Sequence, residues 1–440
     1  MPTSFAPVAQ QAAAPVRLPC RLVQRRELHH GDGCAWHNVA LAWRVAPEVG
    51  ATRLSAALDA VVAANETLRG CFGSGPHAIE QIVHPTAELP LTTLSPTLTK
   101  GPLAAVVGSA VAPLLQAPFP LDRVPLARAA LIGAPAADVL VLVVPHMIWD
   151  AGSTAALEHA LERALAGERP SPPALEAGDF ALWEAGRAAR PRHVERLTLP
   201  RVGRARDVDY LPATTPLALS GAALRGLAEV ARAHRTSLPV ALLTAVAVVI
   251  GLNAAADEVT LGMTHSNRDL PELSETLGFL IGLRAITLST DPRARFAVAL
   301  EQAHEAVARA LADEAPIERA VASADPLRER SPFVDVVVNV VPYRAPRDMP
   351  ARRLLAPLAV EPWNHWRAAR ASPWGCQFDL TAIERADGSA WGGIVRNETC
   401  LPASLAARLV TQLQEVVARA GRRPELPLAR LTEPVDWRTA

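Results

Sequence analysis

Apolar residues recur three or four positions apart in five stretches of the chain, which is the spacing of one face of an α-helix. Two of these stretches follow a serine, Ser153 or Ser220, that we expect to cap the first turn of its helix. The apolar faces are Leu54, Leu58, Val61 and Val62; Leu157, Leu161 and Leu165; Leu224, Leu227 and Ala231; Phe296, Leu300, Ala303, Val307 and Leu311; and Leu405, Leu409, Leu413 and Val416.

Short runs rich in β-branched residues lie between the helical stretches and predict strands. They are residues 39–45, 129–132, 139–144, 259–263, 285–288, 334–341, 378–383 and 391–395. Asp387-Gly388 separates the last two runs and predicts a hairpin turn. Strands and helices interleave without a repeated βαβ spacing, which favours mixed α/β layers over a Rossmann sheet or a barrel.

The longest apolar run, residues 238–252, contains Pro239, Thr244 and Gly251. It is shorter than the ~20 residues that a membrane span needs, so a buried core helix is the better interpretation. Residues 1–15 have no basic region followed by an apolar one and are interpreted as a disordered lead-in rather than a signal peptide.

The chain has 440 residues, a length that favours two domains or subdomains over one core. Prolines punctuate residues 168–215, where we expect the join between two halves. The predicted organisation is a lead-in at 1–15, a first subdomain at 16–180, a linker at 181–204 and a second subdomain at 205–440.

Charge and cysteine content exclude several classes of partner and site. Lys plus Arg and Asp plus Glu number 44 each, so no net field favours nucleic acid or an anionic membrane. Five cysteines occur without Cys-x-x-Cys spacing, which argues against a disulfide framework or a zinc site and favours a reducing, cytoplasmic location.

The most informative segment runs from a wholly apolar stretch at 139–144 into Pro145, His146 and Asp150. A histidine at a strand end titrates near neutral pH and can accept a proton from an amine or hydroxyl nucleophile. By itself, His-x-x-x-Asp is equally compatible with a structural histidine.

In context, the segment resembles the His-His-x-x-x-Asp-Gly motif of the condensation domains of nonribosomal peptide synthetases. His146 matches the second, catalytic His and Asp150 the Asp, whereas Pro145 replaces the first His and Ala151 the Gly, with Gly152 next along. Other motifs of the family follow in the expected order, and the resemblance runs from about residue 22 to about residue 431. They lie at 64–72, 178–183, 262–268, 277–287 (with Gly282 where the family has Asn), 331–339, 378–381 and 426–428.

The resemblance implies a fold of two chloramphenicol-acetyltransferase-like subdomains in a V-shaped arrangement with a central tunnel. The second subdomain is expected to supply a floor loop, and a latch near the Asp387-Gly388 turn. His146 is the implied catalytic residue, and Arg268 is expected to pair with Asp150, tying the first half to the floor of the second. The implied tunnel residues are Ala151, Gly152 and Asn339, although Asn339 is equally compatible with an ordinary strand position.

The implied reaction is condensation of an acyl thioester with an amine or hydroxyl, which forms an amide or an ester in nonribosomal peptide or polyketide biosynthesis, such as that of antibiotics. The resemblance implies no bound cofactor or metal, because the donor arrives on the phosphopantetheine of an acyl- or peptidyl-carrier protein. The acceptor is a small molecule or is itself carrier-bound. As a free-standing enzyme the chain is expected to meet its carrier in trans, for chain release or joining.

Two alternatives remain open at this stage. An acyltransferase of the same fold that uses coenzyme A would need a basic pocket for the nucleotide phosphates. A non-catalytic module that docks carriers would explain the departures at Pro145, Ala151 and Gly282. Intact His146, Asp150 and Arg268 favour catalysis.

Overall fold

The computed structural model describes residues 13–21, 23–25, 28, 38–75, 79–186, 212–312, 336–342, 353–358, 378–385, 387–398 and 401–435. The helices are α1 (Ala51–Ala64), α2 (Leu103–Gln116), α3 (Ala151–Leu165), α4 (Ala177–Gly186), α5 (Gly221–Ala233), α6 (Leu238–Ala254), α7 (Phe296–Ala312) and α8 (Ala403–Arg422). The strands are β1 (Val16–Pro19), β2 (Asn38–Val45), β3 (Gly70–Ser74), β4 (Ile79–Val83), β5 (Leu91–Leu94), β6 (Arg128–Ala134), β7 (Ala137–Pro145), β8 (Pro212–Leu219), β9 (Glu258–His265), β10 (Gly282–Ser289), β11 (Val336–Val341), β12 (Leu355–Pro357), β13 (Phe378–Glu384) and β14 (Ala390–Asn397).

The five helices predicted from apolar spacing are confirmed, as is each strand predicted from a β-branched run. Ser220 caps α5 as expected, since its side chain accepts a hydrogen bond from Ala223 N. The prediction that Ser153 caps a helix is wrong. Asp150 is the N-cap of α3, and its side chain accepts from Ser153 N, because a carboxylate three residues earlier already occupies the capping position.

The described residues form two compact units. The first combines the chain up to residue 186 with Ser266–Ile281 and residues 353–358, and the second contains the rest. This division is discontinuous, whereas the sequence indicated one join at 181–204. That predicted join begins inside α4, and residues 187–211 lie outside the described ones.

In the first unit, strand β7 is the centre of a sheet with the order β12-β2-β7-β6-β5. Alternate β7 residues belong to two separate apolar clusters, one shared with α1 and α3 and the other with α2. Because both faces are covered, the run Val139–Val144 carries no polar alternation and is at most 1 % exposed. The polar residues that follow β7 are therefore held at the buried end of this strand.

Two acidic side chains of α3 hold residues 353–358 against the first unit. The Glu162 carboxylate accepts hydrogen bonds from the backbone N–H of Leu354 at 3.0 Å and of Leu355 at 2.7 Å. Glu158 accepts from the Trp43 indole at 2.8 Å and from Arg353 at 2.9 Å. These bonds allow β12 to extend the sheet as an antiparallel partner of β2.

The second unit has a sheet of described strands in the order β10-β9-β11-β13-β14-β8. Its apolar face packs against α6, which is buried over most of its length, so the interpretation of 238–252 as a core helix is confirmed. Gly388 has φ +78°, and Asp387 Oδ1 accepts from Ser389 N at 2.8 Å, so the predicted hairpin turn between β13 and β14 is confirmed. Its role as a latch stays a prediction.

No single helix in the described part of the chain has both the length and the apolar character to span a membrane. The pair α5 and α6, bent by 106°, passes that test together by length and composition. Cys20 and Cys71 are free thiols, whereas Cys34, Cys376 and Cys400 lie outside the described residues.

Glu66, in the motif at 64–72, is a buried acid of the first unit. Its Oε1 accepts a hydrogen bond from Gly178 N at the start of α4. Burial, with a smaller contribution from Asp179, nevertheless raises the pKa of Glu66 from 4.5 to about 7. The folded state therefore favours the protonated carboxyl.

The raised pKa of Glu66 predicts a pH-dependent stability. Its contribution is fully present below about pH 4.5 and is lost as the pH rises through about 7, because ionisation is penalised only in the folded state. Glu66→Gln, which stays neutral, should therefore gain up to about 3 kcal/mol in unfolding free energy relative to the wild type between about pH 5 and pH 8. Denaturant unfolding across that range measures this difference. Glu80→Gln, at an exposed pair with Arg17, is the control, and a Glu66→Gln curve parallel to the wild type would contradict the prediction.

Candidate functional site

His146 follows the last residue of β7 and opens a short 3₁₀ turn, His146–Ile148. Trp149 N donates a hydrogen bond to His146 O at 2.9 Å, which closes this turn. The imidazole is partly buried and meets the Phe279 ring edge-to-face, with centroids 5.5 Å apart and an interplanar angle of 84°. The strand thus supplies a rigid base, and the turn presents the imidazole beyond the strand end.

Asp150 is buried, and its carboxylate accepts hydrogen bonds from three residues, one of which, Ser153, makes the bond that caps α3. Its Oδ1 lies 2.7 Å from Arg268 Nη2 and accepts from Ser153 N at 2.9 Å, with the Ser153 hydroxyl 3.0 Å away. Its Oδ2 accepts from Leu280 N at 3.0 Å. Both carboxylate oxygens of Asp150 are thus engaged by donors. Asp150 is therefore suited to fixing the geometry of the turn that follows His146.

Arg268 meets Asp150 inside the first unit. The ion pair expected from the sequence is present, and both side chains are buried, at 2 % and 1 % exposed. Ser266–Ile281, the stretch that carries Arg268, groups with the first unit, whereas the sequence analysis assigned it to the second half. Arg268 Nη1 also donates to Leu273 O and Thr276 O at 2.9 and 2.6 Å, so one guanidinium organises the loop that carries it.

Gly152 leaves the space that Arg268 occupies. A Cβ on Gly152 would lie 2.6 Å from Arg268 Cδ and would clash with Nε as well. Ala151, one residue earlier, is exposed. The position that cannot accept a side chain is thus Gly152 rather than Ala151, and the lining of a channel by either residue stays a prediction.

Residues 277–281, which we term the anchored segment, are fixed by side chains from several parts of the first unit. Thr67 Oγ1 donates to Leu277 O at 2.6 Å, and Gly278 N donates to Ser153 Oγ at 3.0 Å. Asn267 Nδ2 donates to Leu280 O at 2.7 Å. Together with the Asp150 bond, these contacts fix the backbone on both sides of Phe279.

Asn339 lies on β11 in the second unit, where its Oδ1 accepts from Thr264 Oγ1 of β9 at 2.8 Å. Its role with substrate stays a prediction. On the neighbouring strand β13, burial raises the pKa of Asp379 to about 7, although Thr381 donates to its carboxylate at 3.3 Å. Among the described residues, no three His, Cys, Asp or Glu side chains are grouped as a metal site would require.

The arrangement combines an imidazole at a strand end with a buried ionic network that holds the following turn. Sequence reasoning found His146 and Asp150 through one motif and Arg268 through a second motif that follows it in the expected order. It missed the anchoring role of Ser153 and the contact of Phe279 with the imidazole. The Ser153 signal was available, as Ser three residues after Asp fits a capping pair, whereas the Phe279 contact spans 133 residues and has no local pattern.

Because Arg268 packs over Gly152, we expect a substitution there to change stability in the direction opposite to that expected from helix propensity. In a helix, Gly→Ala normally stabilises by up to about 1 kcal/mol. Gly152→Ala should instead lower the unfolding free energy by about 1–3 kcal/mol, because the new methyl displaces Arg268 from Asp150. Denaturant unfolding measures this, with Ala151→Gly as the control at the adjacent exposed position. A stabilised Gly152→Ala variant would show that Arg268 relocates without cost.

Comparisons with known proteins identify the fold and the family. The family model "Condensation domain" matches residues 26–353. Chondramide synthase from Chondromyces crocatus is 28 % identical over 360 residues, which cover 75 % of this chain and 9 % of the synthase. The chain spans under a tenth of the length of the first curated relatives that it matches.

Two solved structures show the same fold at low identity. The X-domain from teicoplanin biosynthesis has a TM-score of 0.72 and 21 % identity, with 97 % of this chain and 100 % of that chain covered; it has also been solved in complex with OxyB. A condensation domain that mediates chain release from the enacyloxin polyketide synthase has a TM-score of 0.71 and 23 % identity, with 99 % and 86 % covered. With the motifs and the family match in agreement, this chain belongs to the condensation-domain family and is similar to nonribosomal peptide synthetases over part of their length.

Proposed function

We propose that this chain transfers an acyl group from a carrier-protein thioester to an amine or hydroxyl acceptor, with His146 at the reacting centre. The observation that carries the proposal is the buried ion pair between Asp150 and Arg268. Asp150 lies four residues after His146 and also accepts a hydrogen bond from the anchored segment. A network of this kind fixes the backbone that follows the imidazole, and a well-oriented group is what acyl transfer needs.

In the proposed reaction the acceptor nitrogen or oxygen attacks the thioester carbonyl. His146 either accepts the proton of the nucleophile or orients that nucleophile by a hydrogen bond. The C–S bond then breaks, the thiolate of the carrier's phosphopantetheine takes up the proton, and an amide or ester remains. Binding both reactants in one orientation supplies much of the rate, because the reaction becomes effectively unimolecular.

The carrier is proposed to act in trans, in chain release or chain joining, and the acceptor is either a small molecule or carrier-bound. The chain-release domain of the enacyloxin polyketide synthase supports this proposal by its similarity of fold. Nonribosomal peptide or polyketide intermediates are the proposed acyl donors, which fits relatives such as chondramide synthase.

A non-catalytic docking role is the second candidate, and the similarity to the X-domain, a fold solved with the partner OxyB, favours it. Pro145, Ala151 and Gly282 differ from the residues of the family motifs, as expected of a member that has lost catalytic activity. The two candidates differ in one observable, since a docking module binds its carrier without changing the acyl group.

Replacing His146 separates catalysis from docking. His146→Gln should lower acyl transfer about 10²–10⁴-fold, because the proton acceptor is lost, while thermal unfolding stays at the wild-type value. Intact-protein mass spectrometry of an acyl-loaded carrier, mixed with candidate amines and alcohols, measures the transfer. His234→Gln in the second unit, at the end of α5, is the matched control. Carrier binding by the wild type with no acyl loss under any acceptor would instead support docking.

A partner carrier predicts a preference that a coenzyme A-dependent enzyme would lack. The acyl group on its carrier should give a kcat/KM at least about tenfold above that of the same group on pantetheine, because protein contacts add to recognition. That advantage should shrink as salt rises, since charges exposed at the docking surface are screened over ~10 Å at 0.1 M. Equal, salt-insensitive rates with coenzyme A thioesters would support the small-molecule acyltransferase.

A further inference from the structure

Arg21 is a buried cation outside the family motifs quoted above, and it bonds to the backbone of Phe279, the residue whose ring meets His146. Its Nε and Nη2 donate to Glu184 at 3.1 and 2.8 Å, a bidentate pair with side chains 2 % and 9 % exposed. The guanidinium also lies over the Phe180 ring, 4.9 Å from its centroid. The Glu184 carboxylate and the Phe180 ring, both on α4, therefore fix the guanidinium against this helix.

The remaining nitrogen of Arg21 is directed at the anchored segment. Nη1 donates to Phe279 O at 2.7 Å and to Ile281 O at 2.9 Å. These carbonyls flank Leu280, whose N–H is bound by Asp150. Arg21 and Asp150 thus hold the same short stretch of backbone from opposite sides, one through its acceptors and the other through its donor.

The chain around Arg21 also reaches the backbone beside His146. Arg21 N donates to Gln24 Oε1 at 3.1 Å, and Gln24 Nε2 donates to Met147 O at 3.1 Å. Gln24 therefore holds Met147, the residue after His146. Arg21, three positions before Gln24, holds Phe279, whose ring contacts His146.

We infer that Arg21, held by Glu184, is a positioning residue that sets the orientation of the His146 imidazole through the Phe279 ring. Phe279 meets the imidazole at 84°, so it restricts ring rotation without contributing a charge or a proton. A lysine at position 21 would keep the charge but would not supply five donors in a planar fork, so it cannot satisfy Glu184 and both carbonyls together. The inference rests on the proposed acyl transfer for its kinetic consequence, but not for its structural one.

The test compares Arg21→Lys and Phe279→Leu in the full chain with two matched controls. Arg17→Lys alters an Arg–Glu pair at the surface, and Phe119→Leu removes a buried ring elsewhere in the first unit. Histidine ring signals in ¹³C-labelled protein report on the imidazole without substrate, and the His146 signal is assigned by its loss in His146→Gln. Acyl-transfer kinetics with carrier-bound donor report kcat and KM separately.

Both test variants should move and broaden the His146 ring signal and lower kcat about tenfold or more, with KM changed less, because the imidazole is no longer held in one orientation. The controls should leave both readouts near the wild-type values. If Arg21→Lys does not fold, Phe279→Leu decides alone, since it leaves no buried charge without a partner.

An unchanged His146 signal in folded Phe279→Leu, or a kcat within about twofold of the controls in an active protein, would overturn the inference. A wild type that transfers no acyl group while the His146 signal still moves in both variants would remove the proposed function and support the positioning role.

Discussion

The buried ion pair between Asp150 and Arg268 is the interaction on which the site's geometry depends. Desolvating two charges costs several kcal/mol each, and their mutual attraction repays this only when the geometry is good and the other polar atoms are bonded. Here Asp150 has donors on both oxygens and Arg268 Nη1 has two carbonyl acceptors, whereas the buried Arg268 Nε has no hydrogen-bond partner among the described residues. Against a well-packed apolar pair such a bridge adds little stability. The pair instead restricts the start of α3, the loop that carries Arg268 and the anchored segment to one arrangement.

Local rules explain why this arrangement forms at this place in the chain. Residues 139–144 of strand β7 are buried on both faces and are therefore all apolar, and polar side chains follow only after the strand ends. Asp150 then begins α3 as its N-cap, so a carboxylate is placed at the positive end of a helix. Gly152 leaves room for the guanidinium at that helix start. Within seven residues the chain thus supplies the imidazole of His146, the carboxylate of Asp150 and, at Gly152, the space that the Arg268 guanidinium occupies.

The elements with strong periodicity were predictable, and those with weak signals were not. The face of Leu54, Leu58 and Val61 and the run 139–144 each appear as a helix or a strand where expected. Helix α2 was missed because Ala, Gly and Pro113 dilute its apolar spacing, and β12 because its three residues are stabilised by Glu162 from a distant helix. In the site, motif order identified His146, Asp150 and Arg268. Partners far apart in the chain, such as Arg21 with Phe279, carry no pattern that a single sequence displays.

The discontinuity of the first unit has a consequence for recombination between members of the family. A chimaera that inherits residues up to 187 from one parent and the remainder from another receives Asp150 and Arg268 from different sources, although they belong to one compact unit. The same exchange separates Glu162 from the backbone of residues 354 and 355. Breakpoints that respect the architecture therefore come in sets, with Ser266–Ile281 and residues 353–358 transferred together with the first segment. A module boundary in this fold is a property of contacts rather than of one position in the sequence.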